Sequence, residues 1–203
     1  MNTKERIMDV ALHMFAERGY EAVSIRDICG VVGIRESTLY YHYKNKQDIL
    51  DSLVVRFEKH IAELISHLDD IPEQASSNNE IALSSKMLDD YMMDSYLFDP
   101  FCNLMIRLMM IEQFHNEKIR ELYEKTMFTD PYEIQRKVID KIVSQGRISD
   151  EQAEKVIRRI HAHMTMLTYR YLLNGELTEE RKHAYSRQVH SFMQEILTGG
   201  DER

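Results

Sequence analysis

The sequence predicts an all-α fold, and three observations support this prediction. Only 3 of the 203 residues are proline and 7 are glycine, so few residues interrupt a helix. Leu, Ile, Met, Glu and Lys, which favour helices, are abundant, and Met alone occurs 13 times. Apolar residues recur at intervals of three and four, whereas no run of alternating β-branched residues indicates a strand.

The first predicted helix runs from about Thr3 to Arg18. Asn2 and Glu5 have the N-x-x-E spacing of a capping box at its start, and Gly19 ends it. Apolar residues at helical spacing form one face, and we expect this face to cover the segment that follows: Ile7, Val10, Ala11, Met14 and Phe15.

The next two predicted helices are short and flank a tight turn. Ser24 and Asp27 form an S-x-x-D start for the first of them. Gly33 is the residue type that tolerates the left-handed backbone such turns often need. The second helix begins near Arg35 and buries Leu39. Two short helices around such a turn form a helix-turn-helix, whose second helix can lie in the major groove of DNA.

The second helix of this motif displays side chains that suit a DNA duplex. Thr38 offers a hydroxyl for a phosphate or base edge and a methyl for thymine. Lys46 follows Asn45, the predicted N-cap of the next helix, so its ammonium and the free N–H groups of that helix are expected to face one phosphate. A three-helix core with a polar surface that binds nothing is the alternative that periodicity alone leaves open.

The string Gly33-Ile34-x-x-x-Thr38-Leu39-Tyr40-x-His42-Tyr43-Lys44-x-Lys46 resembles the signature of the TetR family of bacterial transcriptional regulators. The preceding residues from Ile7 to Phe15, with Gly19, Tyr20 and Ser24-Ile25-x-Asp27-Ile28, extend the resemblance over roughly the first fifty positions. The resemblance implies that these residues contact DNA: Arg26, Glu36, Ser37, Thr38, Tyr40, Tyr41, His42 and Lys46. We add Arg35 to the predicted contacts, because it is a cation displayed by the same helix.

Two residues depart from the pattern of the family. Arg35 stands where many members have a small polar residue, so the recognition helix lacks a Ser-type cap. Glu36 stands where many have a basic or small residue, and it would have to accept a hydrogen bond from a cytosine amino group or stay clear of the phosphates. Both departures concern which operator is read.

The net charge of −8 is unevenly distributed along the chain. Residues 1–50 hold seven basic and seven acidic residues, whereas the other 153 hold 19 basic and 27 acidic ones. We expect the acidic remainder to face away from DNA. The N-terminal part would then bind phosphates through a few local cations, with modest non-specific affinity that falls steeply with salt: Lys4, Arg26, Arg35, Lys44 and Lys46.

Two domains are predicted: residues 1–46 as the helix-turn-helix DNA-binding domain and 47–203 as a larger helical ligand-binding and dimerisation domain. A long helix from Asn45 to about Leu68 would connect them. Residues 69–79 contain acidic residues, proline and a Ser/Asn cluster and are predicted to be a linker. Further helices are predicted over residues 80–96, 100–114, 116–127, 130–146, 149–173 and 178–197.

Met and aromatic residues between residues 81 and 114 predict a ligand cavity, because flexible Met side chains can adapt to apolar ligands. Plain helical core is the alternative. Arg107 interrupts an apolar helix; it could reach the surface, pair with Glu112 or Asp94, or hold an anionic ligand. The candidate pocket residues are Met87, Tyr91, Tyr96, Phe101, Met105, Arg107, Met109 and Phe114.

The resemblance also implies a homodimer, formed by a four-helix bundle of the last two long helices of each copy. Apolar residues recur at helical spacing on both of these helices. The candidate interface residues are Ile160, Met164, Leu167, Tyr171, Val189, Phe192, Met193 and Ile196.

Metal, cofactor and membrane sites are not predicted. His60, Glu63 and His67 share one helix face, but such exposed residues are usually solvated. The two cysteines, Cys29 and Cys102, form no disulfide framework, no apolar run is long enough to span a membrane, and we expect a cytoplasmic protein.

These observations together predict a ligand-responsive repressor that binds a palindromic operator as a homodimer and is released by a small molecule. No nucleophile elbow, phosphate loop or metal-ligand cluster is recognisable, so an enzyme is not expected. The alternative is a protein that binds DNA constitutively and regulates a partner through its acidic C-terminal body.

Overall fold

The computed structural model describes residues 2–69, 93–144, 146 and 148–197. Every regular element within these ranges is helical, which confirms the predicted fold class. The chain divides into two compact units, residues 1–120 and 121–203. The predicted linker beyond Asp69, most of the helix predicted over 80–96, and the pocket candidates Met87 and Tyr91 lie outside the described residues.

The first unit contains the helix-turn-helix. Its elements are α1 (Thr3–Arg18), α2 (Ile25–Val32), α3 (Glu36–His42), α4 (Lys46–Asp69), a π-helical turn (Met93–Leu97), α5 (Pro100–Glu112) and the first part of α6 (Glu117–Glu124). The predicted domain boundary after residue 46 therefore falls in the first turn of α4, and its position stays a prediction.

The predicted caps of the first two helices are present. Asn2 Oδ1 accepts from the Glu5 N–H at 2.9 Å, and the Glu5 carboxylate accepts from the Asn2 N–H. Ser24 and Asp27 form the same reciprocal arrangement at the start of α2. Gly33 ends α2 with a φ of +74°, a left-handed conformation that favours glycine. These local signals explain why the predicted bounds of α1 agree with the structure.

The core of the first unit lies beneath α1, which packs against α2, α3, α4 and α5. Ile7, Ala11 and Phe15 from the predicted apolar face of α1 are fully buried, as are Ile28 and Leu39 from the helix-turn-helix. Truncating a large buried side chain such as Ile7 or Phe15 to Ala typically costs about 2–5 kcal/mol. The core therefore fixes the orientation of α2 and α3 relative to α1.

The second unit continues with a π-helical turn (Lys125–Thr129), α7 (Asp130–Ser144), α8 (Asp150–Leu167), another π-helical turn (Thr168–Leu173) and α9 (Glu179–Leu197). α7 packs against α8, and α8 with its π-helical extension packs against α9. The Arg136 guanidinium ties α7 to α8, since it bonds Asp150 at 2.8 Å and Glu154 at 2.6 Å.

The helix predicted from residue 130 begins at Asp130, but the preceding helical turn leads into it without a break. Asp130 has helical dihedral angles, φ −60° and ψ −45°, and the chain passes from α6 through the π-helical turn directly into α7. Proline lacks the N–H that an α-helix interior requires and its ring crowds the preceding turn. We attribute the π-helical turn before Pro131 to this conflict, because its wider hydrogen-bonding pattern relieves the crowding.

Across the described residues, no helix combines the length and the apolar character that are needed to cross a lipid bilayer.

Candidate nucleic-acid interface

The recognition helix α3 is anchored by two buried side chains. Leu39 is fully buried, and Tyr43, directly after the helix, is also buried and donates its hydroxyl to the Lys4 carbonyl at 3.2 Å. With one side of this seven-residue helix fixed to the core, the remaining side chains must point outward. The Lys4 ammonium lies 5.4 Å from the centre of the Tyr43 ring, which adds a cation–π contact to the anchor.

The side chains predicted to contact DNA are accessible, as such a role requires. Tyr41 is 85% exposed and Tyr40 is 51% exposed. The rings of Tyr41 and His42 meet edge to face with centroids 5.1 Å apart. None of the nine predicted contact residues is buried; six are exposed and three, Thr38, His42 and Lys46, are half-buried.

The start of α3 lacks a side-chain cap, as the sequence predicts. Arg35 occupies the N-cap position with extended dihedral angles and makes no side-chain capping bond. Ser, Thr, Asp or Asn at this position typically stabilises a helix by about 1 kcal/mol relative to Ala. The Thr38 N–H donates to the Arg35 carbonyl at 2.9 Å, so the missing cap affects the N–H groups before it, those of Glu36 and Ser37.

Arg26 of α2 pairs with Glu36 of α3. The Arg26 Nε lies 3.5 Å from Glu36 Oε1, and both side chains are exposed. The positive charge of Arg26 is therefore partly balanced by a carboxylate in the protein without DNA. Because exposed ion pairs contribute only about 0–1 kcal/mol, a phosphate can replace this carboxylate at small cost.

Lys46 makes a contact that the sequence did not reveal. Its ammonium donates to the Tyr20 carbonyl at 2.7 Å and lies 4.0 Å from the centre of the Tyr20 ring. Asn45 is the N-cap of α4 as predicted, since its Oδ1 accepts from the Asp48 N–H at 2.8 Å. The ammonium thus has one of its three N–H groups engaged within the protein. Any contact of Lys46 with a phosphate would use the others.

Two further cations of this region are held by backbone carbonyls. Arg6 donates to the carbonyl of Val32 at 2.9 Å, and Arg18 donates to that of Ala22 at 3.3 Å. Arg35 and Lys44, in contrast, are exposed beside α3. The exposed positive charge nearest the recognition helix therefore comes from Arg26, Arg35 and Lys44.

The candidate pocket residues have different environments. Met105 and Met109 are fully buried in α5 and Tyr96 is buried, while Phe101 is half-buried beneath the guanidinium of Arg56, 4.3 Å from its ring centre. Phe114 is 81% exposed, so its placement in a closed cavity is wrong. It follows the end of α5, where the apolar periodicity of the sequence no longer corresponds to a buried face. Arg107 is half-buried.

Half of the candidate dimer residues are already packed inside the chain. Such buried residues can add little contact area for a partner, and their assignment to the interface stays a prediction: Ile160, Leu167, Val189 and Phe192. The other four are half-buried and keep area for a partner: Met164, Tyr171, Met193 and Ile196. Helical spacing identified the apolar stripe, but it could not separate the part that faces the protomer's own core from the part at its surface.

Two segments of the chain match known family models. Residues 7–53 match the family described as bacterial regulatory proteins, tetR family. Residues 116–175 match a family described as a protein of unknown function (DUF2680). The first match covers the predicted helix-turn-helix and the beginning of α4.

Curated relatives are similar over the same N-terminal region. The fatty acid metabolism regulator protein of Bacillus subtilis is 34% identical over 79 residues, which are 38% of this chain and 39% of that protein. The biofilm operon icaADBC negative transcriptional regulator IcaR of Staphylococcus epidermidis is 44% identical over 46 residues, 23% of this chain and 25% of that protein. The matches therefore span well under half the length of these relatives.

Solved structures match over almost the whole chain. A putative transcriptional regulator from Saccharomonospora viridis, in complex with choline, has a TM-score of 0.65 at 22% identity and covers 94% of this chain and 95% of its own. The fatty acid degradation regulator FadR from Bacillus halodurans has a TM-score of 0.61 at 14% identity and covers 100% and 98%. These likenesses show the fold. The relatives and neighbours named above are described as regulators.

Proposed function

Residues 7–53 match the family of bacterial regulatory proteins, tetR family, and from that premise we propose that this chain is a transcriptional repressor of the family. It binds a palindromic DNA operator as a homodimer and leaves it when a small molecule binds. The observation that carries the proposal is the recognition helix α3, which is anchored by buried Leu39 and Tyr43 and presents Tyr40 and Tyr41 to solvent.

Contacts to DNA come from the exposed side of the helix-turn-helix. Tyr40, Tyr41 and Thr38 reach base edges and phosphates, since their hydroxyls can donate or accept. Arg26, Arg35 and Lys44 neutralise phosphates.

The homodimer forms through α8 and α9. Half-buried Met164, Met193 and Ile196 supply the apolar contact area, and a two-fold axis doubles it. Two recognition helices in such a dimer must lie about 34 Å apart to enter successive major grooves. We expect Met193→Glu to dissociate the dimer in analytical ultracentrifugation. Ser191→Glu adds the same charge to an exposed position two residues away and should leave the dimer intact.

Release by a small molecule requires that the molecule binds the DNA-free conformation more tightly than the DNA-bound one. The Met-rich helix α5, with Met105 and Met109 at its centre, is the region we assign to this effector. The choline complex of one solved neighbour supports a small organic molecule as the effector.

The acidic remainder of the chain favours one second candidate. All of the net charge of −8 lies in residues 51–203, and an acidic surface can bind a basic partner protein. In that case the chain would bind DNA constitutively and regulate its partner. No small molecule would then both raise the melting temperature and release DNA.

The experiment is selection of bound duplexes from a random-sequence library by the full chain, followed by fluorescence anisotropy on the selected duplex. We expect a palindrome whose half-sites are about one helical turn apart. Tyr41→Ala should weaken binding at least about 10-fold, the effect of losing roughly 1.4 kcal/mol. Val55→Ala changes an exposed apolar residue of α4 in the same unit and should leave affinity unchanged. Failure to enrich any sequence, or equal effects of the two variants, would refute the proposal.

A further inference from the structure

Three metal-binding side chains of different chemistry meet where α4 packs against the start of α5. They are His60 of α4, Asp99 at the N-cap of α5 and Cys102 in its first turn. One potential donor atom from each lies within 4.8 Å of the other two. No other group of three such side chains meets this criterion among the described residues. The cluster lies in the first unit, away from the recognition helix.

The local backbone holds these side chains in place. Asp99 Oδ1 accepts from the Cys102 N–H at 2.8 Å, which fixes the spacing between the two residues. His60 Nε2 lies 3.0 Å from the Ser95 carbonyl, which can only accept, so Nε2 carries the proton and Nδ1 carries the lone pair. A histidine that binds a metal commonly donates its other N–H to a backbone carbonyl in this way.

The cluster combines a buried thiol with two more accessible groups. Cys102 is fully buried, whereas His60 and Asp99 are half-buried and face an entering ion first. Burial, with the nearby charge of Asp99, raises the pKa of the Cys102 thiol far above its ordinary value. An ion that binds here must displace this proton to solvent while the sulfur–metal bond forms, as a coordinated thiol does.

We propose that His60, Asp99 and Cys102 bind a divalent transition-metal ion of the zinc class, with a fourth position open to water or a solute. One nitrogen, one oxygen and one sulfur ligand suit Zn²⁺ or Co²⁺, whereas Mg²⁺ and Ca²⁺ require oxygen ligands. Tetrahedral zinc with its usual bond lengths places neighbouring ligand atoms about 3.3–3.6 Å apart. Because the donor atoms already lie within 4.8 Å of one another, binding requires the side chains to approach by at most about 1.5 Å.

Charge at the cluster is compatible with a cation. Asp99 and the Cys102 thiolate supply two negative charges to the ion. Arg56, one turn before His60 on α4, is the opposing charge, and its field offsets part of the rise in the pKa of Cys102 that burial and Asp99 cause. Its guanidinium lies 4.3 Å from the centre of the Phe101 ring, so it is already held by a cation–π contact. Two negative ligands against one such cation leave the site favourable for a divalent ion.

The test is titration of the reduced full chain with Co²⁺, recorded by absorption spectroscopy. We expect one equivalent per chain, a thiolate-to-cobalt charge-transfer band, and visible bands of tetrahedral intensity. Cys29→Ser removes the other cysteine, which is buried in the helix-turn-helix, and should change nothing. With that variant the charge-transfer band can arise only from Cys102.

Loss of each proposed ligand completes the test. Cys102→Ser should abolish the charge-transfer band, and His60→Gln and Asp99→Asn should each weaken Co²⁺ at least about 10-fold, the usual cost of losing even an outer-shell partner. Circular dichroism checks the fold; if Cys102→Ser unfolds, the other three variants still decide. The proposal would be overturned if the unaltered chain showed no charge-transfer band, or if the band were lost in Cys29→Ser. It would also be overturned if His60→Gln and Asp99→Asn bound Co²⁺ with unchanged affinity. Binding of DNA is not part of the readout, so the site and the repressor function can fail independently.

Discussion

The carboxylate of Glu112 accepts a hydrogen bond from the backbone N–H of Tyr20 at 2.8 Å. Ninety-two positions separate the two residues in sequence, and Glu112 is buried. The carbonyl of the same residue, Tyr20, accepts from the Lys46 ammonium at 2.7 Å. Both backbone polar groups of Tyr20 are therefore bound by charged side chains, one from the end of α5 and one from the first residue of α4. This arrangement connects the loop before the helix-turn-helix to the helix that we assign to the effector.

Glu112→Ala should destabilise the protein by about 1–3 kcal/mol, because the Tyr20 N–H loses its partner in a part-buried position. Glu112→Gln keeps an acceptor oxygen and should lose less, since only the charge of the acceptor is removed. Urea unfolding followed by circular dichroism measures both. Equal losses in the two variants would mean that the charge, and not the hydrogen bond, stabilises this contact.

Lys46→Ala should affect both stability and DNA binding. It removes the charge-assisted bond to the Tyr20 carbonyl and the cation–π contact with its ring, which together should cost about 1–3 kcal/mol. Lys44→Ala, two residues earlier, removes an exposed cation and should leave stability within about 0.5 kcal/mol of the unaltered chain. Thermal unfolding distinguishes the two variants. A Lys46→Ala protein as stable as Lys44→Ala would show that the Tyr20 contact contributes nothing.

Local features of the fold were predictable from the sequence. The bounds of α1, the capping boxes at Asn2 and Ser24, and the left-handed Gly33 all follow from residues within one turn of the feature. Such signals act through hydrogen bonds between neighbours in sequence, and no knowledge of the tertiary structure is needed to interpret them. The same holds for the start of the helix predicted over residues 100–114, where Asp99 caps α5 and Pro100 is its first residue.

Features that depend on contacts distant in sequence were not predictable. Lys46 bonds a carbonyl 26 positions away, and Glu112 bonds an N–H 92 positions away, so no local pattern marks either contact. The cluster of His60, Asp99 and Cys102 likewise joins two helices. From the sequence we considered only His60, Glu63 and His67, which share one face of α4, and we predicted no metal site there. Apolar spacing also overstated the pocket at Phe114, since periodicity does not indicate where a helix leaves the core.

Ser24→Ala should raise the pKa of Asp27 toward its ordinary value and weaken α2. The Ser24 hydroxyl and N–H both donate to the Asp27 carboxylate, and these bonds lower its pKa in the folded protein. A lowered folded-state pKa stabilises the protein above the ordinary carboxyl pKa of about 4, and this contribution is lost as pH falls through the folded value. The variant should therefore show a flatter decline in stability below about pH 4.

The measurement for Asp27 is carboxyl titration by NMR, with urea unfolding at neutral and acidic pH. Loss of the cap itself should cost about 1 kcal/mol at neutral pH. Ser149→Ala removes an equivalent cap from α8 in the second unit and should leave the Asp27 titration unchanged. An unaltered Asp27 pKa in Ser24→Ala would show that the bond from the Ser24 hydroxyl does not cause the shift, since the variant keeps the bond from the Ser24 N–H.

Glu36→Gln should increase non-specific affinity for DNA, because it removes a negative charge from the recognition helix and releases Arg26 to bind a phosphate. Arg26 Nε lies 3.5 Å from Glu36 Oε1, and the pair is exposed, so stability should change by less than about 1 kcal/mol. One additional neutralised phosphate steepens the dependence of log affinity on log salt by about 0.9. Fluorescence anisotropy on a random-sequence duplex across a salt series measures this slope.

A double-mutant cycle separates the pair from the general effect of charge. In an Arg26→Ala background, Glu36→Gln should gain less affinity than in the unaltered chain, since the cation that it would release is gone. Glu17→Gln makes the same charge change on the exposed side of α1 and should give no such coupling. Equal gains with and without Arg26 would refute the release of Arg26. A loss of affinity restricted to the selected operator would instead assign Glu36 to a base, because only a carboxylate that accepts from a cytosine amino group is sequence-specific.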